Sequence, residues 1–339
     1  MSRPTRVLVT GGSGFLGLEI CRQLAAQGTH VTSLCRRPSP QLARLGVHQH
    51  LGDLVDPSAV SRAVAGCDAV VHNAALAGVS GPARPFWTVN VEGTRNVVAQ
   101  CRDHQVRTLV YTSTASVVFP PGGLDNADDR TPYPRRHLAA YPRTKARAEA
   151  LVLAANGPGL ATVSLRPHLI WGPDDPHFLP ALLRMARRGR FVLPGDGTNL
   201  IDTTHVRTAA HAHLLALDRL HHGHPIGGRA YFITQGEPLP LGTVVDLLLG
   251  AAGMRVRRHA VPVPLAYAAA AARDAAVRVT SRGGVHGLSR FLVDVLARPH
   301  WFDLTAARRD LGFTAPISIA EGIAELEEKR TPHVTDARP

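Results

Sequence analysis

Apolar residues in the first half of the chain fall into short β-rich runs: Val7-Leu-Val9, His30-Val-Thr-Ser-Leu34, Cys67-Asp-Ala-Val-Val-His72, Arg107-Thr-Leu-Val-Tyr111 and Leu160-Ala-Thr-Val-Ser-Leu165. Stretches with helical spacing separate them. The first strand, Arg6 to Thr10, leads through a Gly-rich turn to a helix that reaches about Gln27 and is closed by Gly28. Asp56-Pro57 reads as an N-cap followed by a proline at the first helical position, opening a helix that stops near Gly66. A single helix is predicted from about Pro85 to His104. Strand and helix alternation at this length predicts right-handed βαβ units and a doubly wound parallel sheet of the α/β class. After Leu165 the pattern loosens into proline- and glycine-bearing loops, Arg166 to Pro176 and Pro194 to Asn199. Ala230-Tyr-Phe-Ile233 is expected to rejoin the sheet, and the region from Gln235 onward reads as helical and Ala-rich. The predicted division is a sheet domain over residues 1–165, with 200–234 returning to it. A smaller, mainly helical substrate part follows over 166–199 and 235–330, then a disordered tail over 331–339.

A chain of 339 residues, 45% hydrophobic, can bury a large core. Its net charge of +12 invites a nucleic-acid reading. However, of 38 basic side chains only Lys145 and Lys329 are lysines. So complete a use of arginine reads as a chain-wide compositional habit, and no nucleic-acid partner is predicted. The densest cluster, Arg184, Arg187, Arg188 and Arg190, reads as the end of an amphipathic helix. Met1 runs directly into the first strand without an apolar leader, so a cytoplasmic location is expected. The longest uncharged apolar run, Ala260 to Ala272, is too short to span a bilayer and holds Pro262 and Pro264. Cys21, Cys35, Cys67 and Cys101 match neither a metal site nor a disulfide framework and are expected as reduced thiols. No metal site is predicted. His211 and His213 point in different directions on a helix, while His221, His222 and His224 read as a solvated helix end.

Thr10-Gly-Gly-Ser-Gly-Phe-Leu-Gly17 lies between the first strand and the first helix, where a dinucleotide loop must lie. Gly11 permits the tight turn, Gly14 lets the backbone approach a pyrophosphate, and Gly17 lets the helix pack closely on the sheet. Ser13, Phe15 and Leu16 complete this candidate cofactor loop. The second strand ends in Leu34-Cys35-Arg36-Arg37. An NAD site places an acid there for the ribose hydroxyls, whereas an NADP site places arginine for the 2′-phosphate. NADP(H) is therefore predicted over NAD(H), held by Arg36 and Arg37, although both also fit an ordinary basic surface.

Tyr141-Pro-Arg-Thr-Lys145 places a phenol and an ammonium four residues apart on one helix face, where the cation can favour the ionised phenol. Unperturbed tyrosine, with a pKa of about 10, is a poor acid-base catalyst at neutral pH, so this help matters. A lysine kept in a chain that otherwise uses arginine marks a place where a compact ammonium is wanted.

The spacing of Gly11, Gly14 and Gly17, together with Tyr141 and Lys145, resembles the extended branch of the short-chain dehydrogenase/reductase superfamily. The resemblance implies a Rossmann-type sheet and a set of further site residues. Asp53, with Leu54 beside it, would bond the adenine amino group. Asn73-Ala74-Ala75 would follow the fourth strand in the cofactor pocket. Asn90 would serve structurally and in proton relay. Pro167 and Leu169, in Arg166-Pro-His-Leu-Ile-Trp-Gly-Pro173, would support the nicotinamide carboxamide, while Trp171 plugs the core between the two parts. Thr114 would hold the substrate carbonyl oxygen while Tyr141 delivers the proton, with Ser113 and Ser116 as neighbouring candidates. The acid that nucleotide-sugar dehydratases carry after this position is replaced by Ala115 and Ser116, which argues against elimination chemistry.

Further segments sharpen the resemblance to the 3β-hydroxysteroid dehydrogenase-like group: Tyr111 to Ser116, Leu165 to Pro173, Gly195 to Asn199, Tyr231 to Pro238 and Arg298 to Trp301. Within that group the chain resembles reductases of 2-alkyl-3-oxoalkanoic acids in bacterial long-chain olefin biosynthesis, over nearly its whole length to about Glu327. The implied reaction is NADPH-dependent reduction of the 3-keto group, or the reverse oxidation of the 3-hydroxy acid. A substrate with two alkyl chains needs a roomy apolar pocket, for which Val261 to Val279, with Leu265 and Tyr267, is the expected lining or lid; a plain packed helix would look the same. Expected partners are the small hydrophobic acid, pathway enzymes, a membrane surface bound peripherally, and a second copy through the helices after the fourth and fifth strands. The alternative is an NAD(P)-dependent 3β-hydroxysteroid or sterol dehydrogenase. A nucleotide-sugar epimerase or a non-catalytic NADP-binding sensor ranks below it.

Overall fold

The computed structural model describes residues 4–78, 81–186, 190–280 and 289–330. Arg187, Arg188 and the tail from Thr331 lie outside them. Seven parallel strands form the central sheet: β1 (Arg6–Thr10), β2 (His30–Cys35), β3 (His48–Leu51), β4 (Ala69–His72), β5 (Thr108–Thr112), β6 (Ala161–Pro167) and β7 (Arg229–Ile233). Their order across the sheet is β7-β6-β5-β4-β1-β2-β3. The expected return of the Ala230 to Ile233 segment is thus observed, as an edge strand with Ile233 opposite Pro167.

Val7, Leu8 and Val9 are all fully buried because both faces of the sheet are covered. Successive side chains point to opposite faces. Val7 and Val9 pack with Ile20 and Leu24 of helix α1 (Phe15–Ala26) and with Leu217 further along the chain. Leu8 instead packs with Val60 of α2 (Pro57–Val64), Val97 of α3 (Gly93–Asp103) and Val152 of α4 (Ala140–Ala154). The predicted start of α2 is present: Asp56 accepts a hydrogen bond from the Ser58 N–H at 2.9 Å, and Pro57 takes the first helical position.

The stretch expected to be one helix from Pro85 to His104 has three parts. Residues Ala83–Trp87 are helical, Thr88–Glu92 form a π turn, and α3 follows. Such a turn inserts a residue and re-aims its side chains, a change invisible to apolar spacing. Here it directs Asn90 inward.

Beyond Gln235 the chain is less uniformly helical than its composition suggests. Helices Leu241–Ala251, Val263–Thr280, Arg290–Ala297, Thr305–Leu311 and Ile319–Arg330 are interrupted by short strands, including Arg257–Val261 and His300–Phe302. The first pairs in parallel with Arg190–Pro194 and the second with Leu124–Ala127. Each partner is distant in sequence, so no local pattern announces the pairing. A separate core gathers Trp171, Phe191, Leu193, Leu248, Leu249 and Leu296. Trp171 is 1% exposed in this core and donates its indole N–H to the Thr203 hydroxyl at 2.9 Å. Leu265, placed in the expected lining segment, is 60% exposed, while Ala266 and Ala270 of the same helix pack on Val293. Among the described residues, no helix is long and apolar enough to cross a membrane. The four cysteines are free, and burial pushes the thiols of Cys21 and Cys101 up to about 12, leaving them unreactive.

Two glycines test this packing in opposite directions. A Cβ on Gly17 would overlap the carbonyl oxygen of Gly11, which must then move. Gly17→Ala is expected to cost about 1–3 kcal/mol in urea denaturation. A Cβ on Gly250, in helix Leu241–Ala251, would meet open space. Gly250→Ala should gain about 0.5–1 kcal/mol in the same measurement.

Candidate active site

The order of the sheet reverses between β1 and β4, so the loops at their carboxyl ends diverge and leave a crevice. The Gly11–Gly14 turn lies there. Gly11 has φ +69°, donates to the Leu34 carbonyl at 3.1 Å and accepts from Gly14 N–H at 3.0 Å. Its own Cβ would strike Ala74, just as that of Gly17 would strike Gly11. Loop, helix and β4 exit are therefore in backbone contact. Gly14 caps α1 without a side-chain hydrogen bond, leaving the first-turn N–H groups free for an anion. An anion such as a pyrophosphate suits these free N–H groups by its chemistry.

The other expected cofactor residues surround the same crevice. Ser13 is exposed and Phe15 half-buried, while Leu16 turns into the core. Arg36 and Arg37 stand exposed at the end of β2, with no carboxylate bonded to either among the described residues. Asp53 follows β3 and accepts from Val55 N–H at 3.2 Å, with Leu54 buried behind it. Asn73 is half-buried and Ala75 exposed after β4, and Ala74 N–H donates to the Thr10 hydroxyl at 3.1 Å. Pro167 closes β6. Leu169 has φ +42°, a strained conformation for a leucine, and its carbonyl accepts from Thr204 N–H at 3.3 Å. The intervening His168 is anchored by a 2.7 Å hydrogen bond to His300. This loop is thus held in one shape at the carboxyl edge of the sheet.

Helix α4 carries Tyr141 and Lys145 beside the end of β5. Lys145 is 2% exposed; its ammonium donates to the Thr112 carbonyl at 2.6 Å and lies 4.2 Å from the centre of the Tyr111 ring. Burial pushes its pKa down to about 7, against the pull of Glu149. Tyr141 packs edge-on to Phe86, with ring centres 6.4 Å apart. Burial pushes its phenol up to about 12, opposed by a hydrogen bond with Thr114. The expectation that Lys145 lowers the Tyr141 pKa is therefore not met in the protein alone. Removal from water dominates, and the ammonium is engaged by Thr112 and Tyr111.

Among the three hydroxyls at the end of β5, that of Thr114 is the one that favours the ionised Tyr141 phenol, against the effect of burial. Ser116 bonds to Thr114 at 3.1 Å, and the buried Ser113 hydroxyl has no hydrogen-bond partner among the described residues. Asn90 accepts from Leu76 N–H at 2.7 Å and donates to the Leu76 carbonyl at 3.0 Å and the Thr144 hydroxyl at 3.1 Å. It clasps the chain after β4 to α4, and its amide is fully occupied in doing so. His213, considered and set aside as a ligand, bonds Thr112 Oγ1 at 2.7 Å and the Ala209 carbonyl.

Sequence reading passed over Glu149, Tyr111, Phe86 and the Thr112 carbonyl. Glu149 had a usable signal: it lies four residues after Lys145, on the face that carries Tyr141. Fully buried, it accepts from the Tyr133 hydroxyl at 2.7 Å, the Ser164 hydroxyl at 2.8 Å and Arg166 Nη2 at 2.7 Å. Burial alone would raise its pKa, but Arg166 holds it below the usual carboxylate range. A cleft of about 400 Å³ lined by Tyr133, Leu153, Arg166 and Arg229 opens beside this pair and includes neither Tyr141 nor Thr114.

Known proteins resemble this chain over most of its length. The 3-beta hydroxysteroid dehydrogenase/isomerase family matches residues 8–264. The 2-alkyl-3-oxoalkanoate reductase of Stenotrophomonas maltophilia is 46% identical over 326 residues, covering 95% of this chain and 98% of that protein. The human sterol-4-alpha-carboxylate 3-dehydrogenase, decarboxylating, is 36% identical over 264 residues, covering 76% of this chain and 69% of that protein. Among solved structures, MoeE5 in complex with UDP-glucuronic acid and NAD has a TM-score of 0.74 at 27% identity, covering 96% of this chain and 99% of that one. The UDP-glucose 4-epimerase of Thermus thermophilus in complex with NAD has a TM-score of 0.71 at 26% identity, covering 97% and 100%. The fold is that of the extended short-chain dehydrogenases/reductases, and the chain is an oxidoreductase that belongs to the 3-beta hydroxysteroid dehydrogenase/isomerase family.

Proposed function

We propose that this protein reduces the 3-keto group of a 2-alkyl-3-oxoalkanoic acid with NADPH, in the setting of long-chain olefin biosynthesis. The observation that carries the reading is the grouping of half-buried Tyr141 with buried Thr114 and Lys145 at the carboxyl edge of the sheet, beside an uncapped helix N-terminus. Tyr141 donates its proton to the substrate oxygen, and its raised pKa keeps that proton in place at neutral pH. The Thr114 hydroxyl gives the same oxygen a second hydrogen bond as charge builds on it. Lys145, one turn along the same face of α4, would offer the tyrosinate left behind a positive charge. Gly11, Gly14 and Gly17, with Asp53, Asn73, Ala74, Ala75, Pro167 and Leu169, would hold a nicotinamide dinucleotide, which would supply hydride chemistry when bound.

NADPH is favoured because two guanidinium groups and no acid follow β2, at Arg36 and Arg37. Two relatives direct the substrate reading. The bacterial relative is named for a 2-alkyl-3-oxo acid, and the human one for a 3-position beside a 4-carboxylate. Both names put the reacting carbon next to the carbon that bears a carboxyl group. The human relative also keeps a second reading in play, a sterol dehydrogenase running in the oxidative direction.

Cofactor oxidation measured with NADPH and NADH, each against a 2-alkyl-3-oxo acid and a 3-ketosteroid, separates the two. Turnover of the oxo acid with NADPH is expected. Oxidation of a 3β-hydroxysteroid with NAD, without reduction of the oxo acid, would establish the rival. In the same assay Tyr141→Phe should lower kcat by about 10²–10⁴ while NADPH still binds. Replacing Arg36 or Arg37 by Ala should raise KM for NADPH by about 10–100-fold and leave that for NADH little changed, the loss expected for a hydrogen bond to a charged phosphate.

A further inference from the structure

Lys145 and Arg166 place two cations in one buried layer, yet Lys145 has no carboxylate within ion-pair distance among the described residues. A buried ammonium held only by a carbonyl and a ring face loses its proton readily, because the neutral amine avoids the cost of desolvation. Glu149 is the acid placed to oppose this. It lies one helical turn after Lys145 on the same face of α4, and its carboxylate is fixed by Arg166, Tyr133 and Ser164. In a dry interior a charge one turn away acts strongly without touching its partner.

We propose that Glu149 is a positioning residue, the buried counter-charge that keeps Lys145 in its ammonium form, with Arg166 locking that carboxylate in place. The proposal rests on the catalytic reading of Tyr141 and Lys145 given above. Other ionisable groups around the pair are accounted for. His72 of β4 is buried between Thr10 and Thr94 and held neutral, its pKa pushed down to about 3 by burial and by Lys145. Tyr111 of β5 and Tyr133, ahead of α4, are phenols pushed above their ordinary range by burial. Tyr141 is protonated at neutral pH, and the segment Thr88–Asp103 contributes neutral Asn90 and Thr94 here. That leaves Glu149 as the only anion acting on Lys145 among the described residues.

Because the chain has two lysines, protein labelled with ¹³C at lysine Cε gives two signals, one from Lys145 and one from the half-exposed Lys329. In Glu149→Gln the titration midpoint of Lys145 should fall by about one pH unit or more, while that of Lys329 stays put. Glu149→Asp, which keeps the charge, should restore most of the shift. If Glu149→Gln does not fold because Arg166 is left uncompensated, the pair variant Glu149→Gln/Arg166→Met should show the same fall. The high-pH limb of kcat should move to lower pH by the same interval. An unchanged Lys145 midpoint in the folded variants would overturn the role of Glu149 and leave the Tyr141 chemistry standing. Retained activity in Tyr141→Phe would overturn that chemistry while the titration result for Glu149 stood.

Discussion

Holding the Lys145 ammonium away from water is the constraint on which the site depends. A charged amine inside a protein needs compensation from several directions, because no single partner replaces a hydration shell. Here a backbone carbonyl and an aromatic face, both from β5, share the task with a remote carboxylate one turn further along α4. The carboxylate is itself buried and so requires Arg166, which in turn stacks near Tyr133 and Phe232. A chain of dependence thus runs from α4 through the sheet to the edge strand β7.

The sheet makes this possible by covering both of its faces and concentrating its irregular backbone at one edge. Loops after β1, β4, β5 and β6 all open at the carboxyl ends, which collects the glycine turn, the Asn73–Ala75 segment, Thr114 and the strained Leu169 in one place. Asn90, set by the π turn, ties the β4 loop to α4 and fixes the distance between them. The strain at Leu169 persists because Thr204 and the His168–His300 pair hold its neighbours.

Much of the candidate site was legible because its signals are short. The glycine turn announces itself through spacing, and Tyr141 and Lys145 through the period of a helix. The strand alternation likewise predicted the order of βαβ units and the return of Ala230 to Ile233. Three readings failed or fell short for a common reason. The π turn at Thr88–Glu92 leaves apolar spacing almost unchanged, the strand Arg257–Val261 exists only through its pairing with Arg190–Pro194, and the Tyr141 pKa moves upward because burial outweighs a cation engaged elsewhere. Glu149 went unnoticed because an acid on an exposed helix face and an acid on a buried one look alike in a sequence.

What the sequence by itself determined is the local geometry: a glycine turn between the first strand and helix, a phenol and an amine on one helix face, two arginines after the second strand, and an alternation that admits few topologies. These depend on backbone geometry within a handful of residues, where spacing suffices. The tertiary structure decided the charge states. Whether Lys145 keeps its proton and Tyr141 holds its own depends on how water is excluded by Tyr111, Phe86 and Arg166, which are brought from β5, the segment before the π turn and β6. Desolvation depends on everything that surrounds a group, so it cannot be read from the group's own stretch of chain.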